Sequence, residues 1–480
     1  MRPHVLAALA AALATSPLAS ADTTIAIDAA SDRGTWEGWG TSLAWWAAKW
    51  GDRDDLADIF FTLEDTEFAG QTVPGLGFNT ARYNAGACSW NEIDGESMVV
   101  SPNMMPSRQI EGYWLDWESS DPSSSSWDWS VDANQRAMLT KARDRGANRL
   151  ELFSNSPMWW MCKNHNPSGS NDGSENIQDW NLGQHAVYMA TVAKYYADNW
   201  GITFESVEPF NEPSAGWWTA DNTQEGCHFD VSTQATVIGH LRAELDDRNL
   251  TGTIVTASDE SYYDEAVATW QGLGDEALAV VPRINVHGYQ QGDGARDVLY
   301  DQTSSIGQKI WNSEYGENDA TGENLVRNLL LDFRWLRPVG WEYWQVLDGG
   351  GWGLIDADNE AGTLGGVGRK YFVLAQFTRH IREGMRILDG GGGNVVAAYD
   401  EAGKKLVVVA VNWDGAQEIA FDLSGFGEVA DGAKVSRWST QTGSGDLYVK
   451  GDDTEVSGST FSSSFLTGQV QTFEVEGVVL

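Results

Sequence analysis

Residues 206–213 read Ser-Val-Glu-Pro-Phe-Asn-Glu-Pro, which predicts a short strand that ends at a carboxylate, Glu212, between Asn211 and Pro213. Proline cannot donate a ladder hydrogen bond, so the strand cannot continue beyond this point. A second run with the same kind of ending, residues 309–316, reads Lys-Ile-Trp-Asn-Ser-Glu-Tyr-Gly and carries Glu314. Helical patterns separate these runs from their neighbours, which is typical of βα units and a parallel sheet.

Eight such strands are predicted, and eight is the number that a closed barrel requires. They are residues 39–45, 78–84, 149–155, 206–210, 253–258, 283–287, 309–313 and 341–346. The helical segments between them include residues 131–145, 182–199, 233–245 and 324–336, with apolar residues three and four positions apart. We therefore predict the α/β class and a (β/α)8 TIM barrel, in preference to an open doubly wound sheet.

The composition changes after Met385. From Asn394 onward, strand-like runs are separated by Gly, Asp and Ser turns, with no periodic segment of helix length. This pattern predicts a side β-sandwich domain. We place an N-terminal strand that joins the sandwich in residues 22–34, the catalytic barrel in residues 35–385 and the sandwich in residues 386–480.

The first 21 residues have the pattern of a secretory signal peptide. Arg2 is followed by an apolar run at residues 5–13 and by the small-residue pattern at residues 19–21. A buried first helix is the alternative, but Pro17 would end it. No second apolar run of about 18 residues follows, so we expect a secreted, extracellular protein without a membrane anchor.

The charge of the chain limits its partners. Lys and Arg number 31 against 69 Asp and Glu, a formal net charge of −38. Such a chain is a poor partner for nucleic acid or an anionic membrane. It also carries 24 tryptophans, and aromatic rings beyond the needs of a core serve as stacking platforms for sugars. We therefore expect a neutral polysaccharide as the partner, bound by a monomer.

Glu212 and Glu314 close the predicted fourth and seventh strands, which lie across the mouth of the barrel from each other. Catalytic groups of parallel barrels sit at these strand ends. Two facing carboxylates suit the cleavage of glycosidic bonds, with retention at a separation of about 5–5.5 Å and inversion at about 6.5–9.5 Å. The alternative for each glutamate is a salt-bridged or solvated loop residue.

The motifs around these glutamates resemble the acid/base and nucleophile motifs of retaining barrel glycosidases. Three further stretches extend the resemblance: Gly-Trp-Gly-Thr-Ser-Leu-Ala-Trp-Trp at residues 38–46, Ser-Asn-Ser-Pro-Met-Trp-Trp-Met at residues 154–161 and His-Gly-Tyr at residues 287–289. Over nearly the whole chain after residue 21, the sequence is similar to glycoside hydrolase family 30, and within it to the fungal endo-β-1,6-galactanase group. The resemblance implies an endo-acting hydrolase of β-1,6-galactan, with β-1,6-glucan and xylan as alternative substrates.

The resemblance also implies roles for individual residues. Glu212 would be the general acid/base and Glu314 the nucleophile. Asn211 would hydrogen-bond the sugar hydroxyl next to the reacting carbon, and Tyr289, with His287 beside it, would reach the nucleophile. Further candidates for substrate binding are Arg82, which would keep Glu314 ionised, Asn155, and the tryptophans Trp45, Trp159, Trp217, Trp218 and Trp344. A place in the core is the alternative for each tryptophan.

Other classes of site lack support in the sequence. It contains no His-Glu-x-x-His spacing, no Gly-x-Ser-x-Gly motif and no phosphate-binding loop, so we expect neither a metal nor a cofactor. A non-catalytic glycan-binding barrel that retains both glutamates is the competing class. The three cysteines allow one disulfide, for which we favour Cys162 with Cys227; three buried thiols are the alternative.

Overall fold

The computed structural model describes residues 21–480. The predicted signal peptide therefore lies outside the described residues, except for Ala21. Within residues 21–480, no helix combines the length and the apolar character that crossing a membrane requires.

Eight parallel strands close into a barrel in chain order, which confirms the prediction of a (β/α)8 fold. They are β1 (Gly38–Ser42), β2 (Thr80–Asn84), β3 (Arg149–Phe153), β4 (Ser206–Glu208), β5 (Ile254–Glu260), β6 (Arg283–His287), β7 (Lys309–Tyr315) and β8 (Gly340–Tyr343). The ring closes where β8 pairs with β1, with Gly340 opposite Gly38.

The strands are buried on both faces, but the two faces differ in chemistry. Side chains alternate along a strand, so Ala81 and Tyr83 point outward to the helices while Arg82 points into the barrel. In β3, Leu150 and Leu152 likewise join the outer core, and Glu151 points inward. The barrel interior is therefore lined by charged residues that must pair with one another.

Helices cover the outside of the barrel, each through an apolar stripe. They are α1 (Trp46–Trp50), α2 (Asp54–Phe61), α3 (Ala133–Asp144), α4 (Leu182–Tyr195), α5 (Val231–Asp247), α6 (Tyr263–Leu278), α7 (Arg296–Ser305), α8 (Glu323–Leu331) and α9 (Arg369–Thr378). In α8, for example, Leu325, Val326 and Leu329 are buried, which is the spacing of one helix face.

Two stacked sheets form the C-terminal domain. One contains, in spatial order, Arg386–Asp389, Val395–Asp400, Lys405–Asn412, Gln469–Glu476, Lys434–Gln441 and Val449–Lys450, with Thr454–Glu455 also paired to Lys434–Gln441. The other contains Thr23–Ala26, Gln417–Asp422 and Thr460–Phe465. The first strand of the described chain therefore pairs, in parallel, with the C-terminal domain.

The strand Lys405–Asn412 shows why the two domains hold together. Its residues Leu406, Val408 and Ala410 pack inside the sandwich. The alternate residues Val407 and Val409, with Val411, pack into the core that is continuous with the barrel. Since both faces of this strand are buried, its sequence is a nearly unbroken apolar run.

Shorter elements lie in the connections. The two-stranded pairs are Asp65–Phe68 with Gln71–Pro74, Glu92–Ile93 with Glu96–Ser97, Ile355–Asp358 with Thr363–Val367, and Glu428–Val429 with Val478–Val479. The single helical turns are Pro106–Arg108, Trp159–Met161, Asp179–Asn181, Tyr196–Trp200 and Asp332–Leu336.

The predicted disulfide is wrong. Cys88, Cys162 and Cys227 are all free thiols in the structure, and all three are buried. Three buried thiols were the alternative interpretation. Cys227 packs in the barrel core, and the Cys88 thiol donates a hydrogen bond to Oε1 of Glu225 (3.3 Å).

Candidate active site

The two glutamates reach the barrel mouth in different ways. Glu314 lies inside β7, one residue before its end. β4 ends earlier than predicted, at Glu208, because Pro209 has no N–H for the ladder. Glu212 then follows in the loop with φ of +49°, a left-handed conformation that is uncommon for residues other than glycine.

Two hydrogen bonds hold Glu212 in this conformation. Its backbone N–H donates to the carbonyl of Asp259 (2.8 Å), and its carbonyl accepts from Nε1 of Trp218 (2.8 Å). Trp218 is buried, so the predicted stacking role for this ring is wrong: it fixes the backbone of Glu212 instead.

The carboxylates of Glu212 and Glu314 face each other across His287. Nδ1 of His287 lies 3.3 Å from Oε1 of Glu212 and 3.6 Å from Oε1 of Glu314. The three atoms all lie within 4.8 Å of one another. This spacing is closer to the roughly 5–5.5 Å between the carboxyl groups of retaining enzymes than to the roughly 6.5–9.5 Å of inverting ones.

Both oxygens of Glu314 accept hydrogen bonds. The Tyr289 hydroxyl donates to Oε1 (2.6 Å), and Nη1 of Arg82 donates to Oε2 (3.2 Å). Burial raises the pKa of Glu314, and the cations His287 and Arg82 act in the opposite direction. Arg82 therefore favours the ionised carboxylate, which agrees with the role that the family resemblance implies, and Tyr289 fixes the orientation of the carboxylate.

His287 is a buried cation. Burial alone would lower the pKa of His287, but the carboxylates of Glu314, Asp259 and Glu212 around it raise that pKa to about 10. At neutral pH the ring is therefore an imidazolium, and both of its nitrogens carry protons. One atom each of Glu212, His287 and Glu314 lies at the spacing of a metal site.

Asp259 joins the parts of the site, and the sequence analysis missed it. Its carboxylate accepts hydrogen bonds from Nη2 of Arg82 and from the hydroxyl of Ser313. Its Oδ1 also lies 3.5 Å from Nε2 of His287. Burial raises the pKa of Asp259, but Arg82 and His287 outweigh burial and leave it lowered. The residue lies at the end of β5 with φ of +54°, just beyond the strand that we predicted.

A charged layer supports the site from inside the barrel. Nε of Arg82 donates to Glu151 (3.1 Å), which also accepts from Nη2 of Arg283 (2.6 Å). Burial raises the pKa of Glu342, in the same layer, to about 8, although Arg82 opposes this shift. Glu342 is thus mostly protonated at neutral pH, which reduces the number of buried negative charges that the arginines must balance.

A cavity of about 600 Å³ opens above the two glutamates. It is lined by Trp45, Arg108, Glu212, Trp217, Gln224, Ser261, Tyr262, Tyr289, Glu314, Trp344, Asp348, Gly349 and Trp352. Trp217 and Trp352 are 40% and 37% exposed and lie in the loops after β4 and β8. The cavity therefore combines paired carboxylates with aromatic walls, which suits a carbohydrate.

The structure brings most of the predicted site residues together. Asn211 is buried beside Glu212, and its Oδ1 has no hydrogen-bond partner among the described residues. Asn211 does not line the cavity, so its contact with a sugar hydroxyl stays a prediction. Trp45 and Trp344 line the cavity and contact each other edge to face, at 5.1 Å between ring centroids.

Two predicted residues lie elsewhere. Trp159 is completely buried, with its Nε1 bonded to the Ser89 hydroxyl (2.6 Å), so its ring cannot stack on a sugar. Asn155 is also buried and does not line the cavity; its backbone N–H donates to Asn84. The predicted stacking of Trp159 is therefore wrong. Both polar atoms of the Asn155 side chain lack a hydrogen-bond partner among the described residues, so its contact with substrate stays a prediction. Tryptophan in a strand-end motif serves packing as readily as binding.

Comparisons with known proteins agree with this geometry. The sequence profile of O-Glycosyl hydrolase family 30 matches residues 22–275. A protein from Hypocrea rufa named endo-beta-1,6-galactanase is 60% identical over 481 residues, covering 100% of both chains. Two solved structures share the fold. A conserved exported protein from Bacteroides fragilis has a TM-score of 0.77 at 16% identity, over 94% of this chain and 100% of its own. A glycoside hydrolase family 30 subfamily 8 xylanase from Clostridium acetobutylicum has a TM-score of 0.68 at 18% identity. The match covers 95% of this chain and 100% of the xylanase chain.

We predict that Asp259→Asn reduces the turnover of a glycoside substrate by about 10- to 100-fold, because misplaced catalytic groups react slowly. The amide keeps the shape but loses the charge that pairs with Arg82 and His287. Steady-state kinetics over a range of pH measure the effect. The control is Asp332→Asn, a buried aspartate paired with Arg296 (2.8 Å) outside the cavity. Equal turnover losses in both variants would refute a specific role for Asp259.

We also predict a pH-dependent stability contribution from His287. The pKa of His287 is raised from 6.5 to about 10 on folding, so its stabilising effect is complete below pH 6.5 and is lost as the pH rises through 10. The difference in unfolding free energy between the wild type and His287→Gln should therefore shrink over this interval. Denaturant titrations at several pH values measure it, with the exposed His240→Gln as the control. A difference that stays constant with pH contradicts the prediction.

Proposed function

This chain belongs to glycoside hydrolase family 30, and we propose that it hydrolyses β-1,6-linked galactan in endo fashion, with retention of the anomeric configuration. The observation that carries the proposal is the carboxylate pair, whose facing oxygens lie within 4.8 Å at the mouth of the barrel. The choice of galactan is supported by the protein from Hypocrea rufa, which matches this chain at 60% identity from end to end.

The first step breaks the glycosidic bond. Glu314 attacks the anomeric carbon while Glu212 gives a proton to the departing glycosidic oxygen, and a glycosyl-enzyme ester results. Oε1 of Glu212 accepts the hydrogen bond from His287, which leaves Oε2 to carry the proton. The hydrogen bonds of Tyr289 and Arg82 hold Glu314 in line with the anomeric carbon.

The second step releases the sugar. Glu212, now ionised, removes a proton from water, and the resulting hydroxide attacks the anomeric carbon and displaces Glu314. His287 stays protonated through both steps, because its pKa of about 10 lies well above neutral pH. It can therefore stabilise the negative charge on whichever glutamate carries it.

The cavity and the charge of the chain support a neutral glycan as the substrate. Trp217 and Trp352 present exposed aromatic faces at the cavity, and rings of this kind pack against the apolar faces of sugars. The net charge of −38 disfavours strongly anionic glycans.

Secretion and a monomeric state are part of the proposal. A polymeric substrate is met outside the cell, and residues 1–21 have the pattern of a signal peptide. Every residue of the mechanism comes from one chain, so the chemistry requires no second copy.

The test of the proposed function is a product profile. Early release of short galacto-oligomers from β-1,6-galactan, and none from β-1,6-glucan or xylan, is the expected result. Glu212→Gln and Glu314→Gln should each lower this rate by on the order of 10²–10⁴, since an amide can neither donate the proton nor attack. Glu323→Gln, on the surface, is the matched control. Normal hydrolysis by both active-site variants would falsify the mechanism. Cleavage of glucan or xylan, without cleavage of galactan, would keep the mechanism but show that galactan is the wrong substrate.

Retention has its own test. Proton NMR of the first products should show the β-anomer, followed by slow mutarotation, because two displacements at one carbon restore its configuration. Initial release of the α-anomer would mean direct attack by water and would contradict the nucleophilic role of Glu314.

A further inference from the structure

A second cavity, of about 520 Å³, opens beside the catalytic one. This volume lies within the range of about 300–1,000 Å³ that is usual for small-ligand sites. Its walls come from α1, from the loop after β2 and the start of α3, and from the hairpin after β8. They are Ala48, Lys49, Trp90, Pro106, Ser107, Gln109, Ile110, Glu111, Asp132, Ala133, Asn134, Asn359 and Glu360. We call it the Trp90 groove.

The Trp90 groove and the catalytic cavity lie on two sides of the same wall. Arg108 lines the catalytic cavity, with its guanidinium 4.5 Å from the ring of Trp45, whereas its neighbours Ser107 and Gln109 line the groove. The backbone N–H of Ser107 donates to Oε1 of Glu360 (2.7 Å), which ties this wall to the hairpin after β8. A polymer bound over the glutamates can therefore pass across this wall into the groove.

The groove offers the two kinds of contact that a sugar requires. Trp90 is 60% exposed, more than any other tryptophan among the residues that the structure describes. An exposed indole presents an apolar face, which the C–H face of a pyranose can cover. Around it, Lys49 has no ion-pair or hydrogen-bond partner among residues 21–480, and the exposed Asn134 and Glu360 offer further polar groups for hydroxyls.

The charges of the groove favour a neutral ligand. Its walls contain one lysine, Lys49, against the acidic residues Glu111 and Glu360. Burial raises the pKa of a third acidic residue, Asp132, to about 8, so it adds little charge at neutral pH. A uronate or phosphate group would meet a net negative surface there. Saccharide hydroxyls carry no such penalty.

We propose that the Trp90 groove binds a neutral stretch of the galactan chain beyond the residues held over Glu212 and Glu314, with Trp90 as the stacking platform. This inference rests on the proposed function. The groove adds affinity only for chains long enough to span the wall formed by residues 106–110. We therefore expect the enzyme to prefer polymeric galactan to short oligomers.

The experiment compares polymeric β-1,6-galactan with β-1,6-galactotetraose as substrates of full-length enzyme. Trp90→Ala should raise KM for the polymer about two- to tenfold, the effect of one lost stacking contact. The KM for the tetraose should rise by a much smaller factor. Trp335→Ala, which removes another exposed tryptophan (42% exposed) outside both cavities, is the matched control and should behave as the wild type does.

Each outcome decides a separate point. An inactive wild type on galactan refutes the proposed function. If the wild type is active but Trp90→Ala and Trp335→Ala have the same KM for the polymer, the proposal that the Trp90 groove binds galactan is refuted. Equal rises for polymer and tetraose also refute it, because they place the effect of Trp90 in the catalytic cavity. Lys49→Ala is a second variant that perturbs the groove but keeps the indole of Trp90, and its KM for the polymer should also rise.

Discussion

The pairing of buried charges around Arg82 is the constraint on which the site depends. Arg82 is completely buried and lies within 4.0 Å of Glu151, Asp259, Glu314 and Glu342. A buried guanidinium without partners would cost several kcal/mol, and so would each carboxylate. Arg82 therefore holds the acidic residues in place and they hold Arg82, so that Glu314, the proposed nucleophile, is positioned by the same network that stabilises the barrel interior.

His287 provides a second buried cation, which pairs with Glu212 as well as with Glu314. An imidazolium between two carboxylates permits Glu212 and Glu314 to approach closely without the full repulsion of like charges. Asp259 supports it from behind, and the backbone of Asp259 also positions the backbone of Glu212. The distance between the glutamates is thus set by a chain of contacts from β2 through β5 and β6 to β7, and strands of a closed barrel move little relative to one another.

The sequence predicts those parts that depend on local pattern. The eight strands follow from short apolar runs, and Glu212 and Glu314 follow from motifs at two strand ends. Asp259 could not be found in this way, because its role comes from contacts with residues 82, 287 and 313 and from a left-handed backbone that no neighbouring glycine indicates. Trp159 and Trp218 were misassigned because the same indole ring serves as a core residue and as a platform, and burial is a property of the fold.

The division between strands and loops explains how one chain can combine fixed chemistry with adjustable recognition. Glu314, its partner Arg82 and the Asp259 that pairs with Arg82 all lie on strands, so their distances depend on the barrel alone. The aromatic residues Trp217 and Trp352 lie on connecting loops, which can change in length and sequence without disturbing the charged interior. Barrels with less than 20% identity to this chain share its fold with TM-scores of 0.68 and 0.77. Because a TM-score reports the shared scaffold, sugar preference within this architecture must be sought in the loops rather than in the strands.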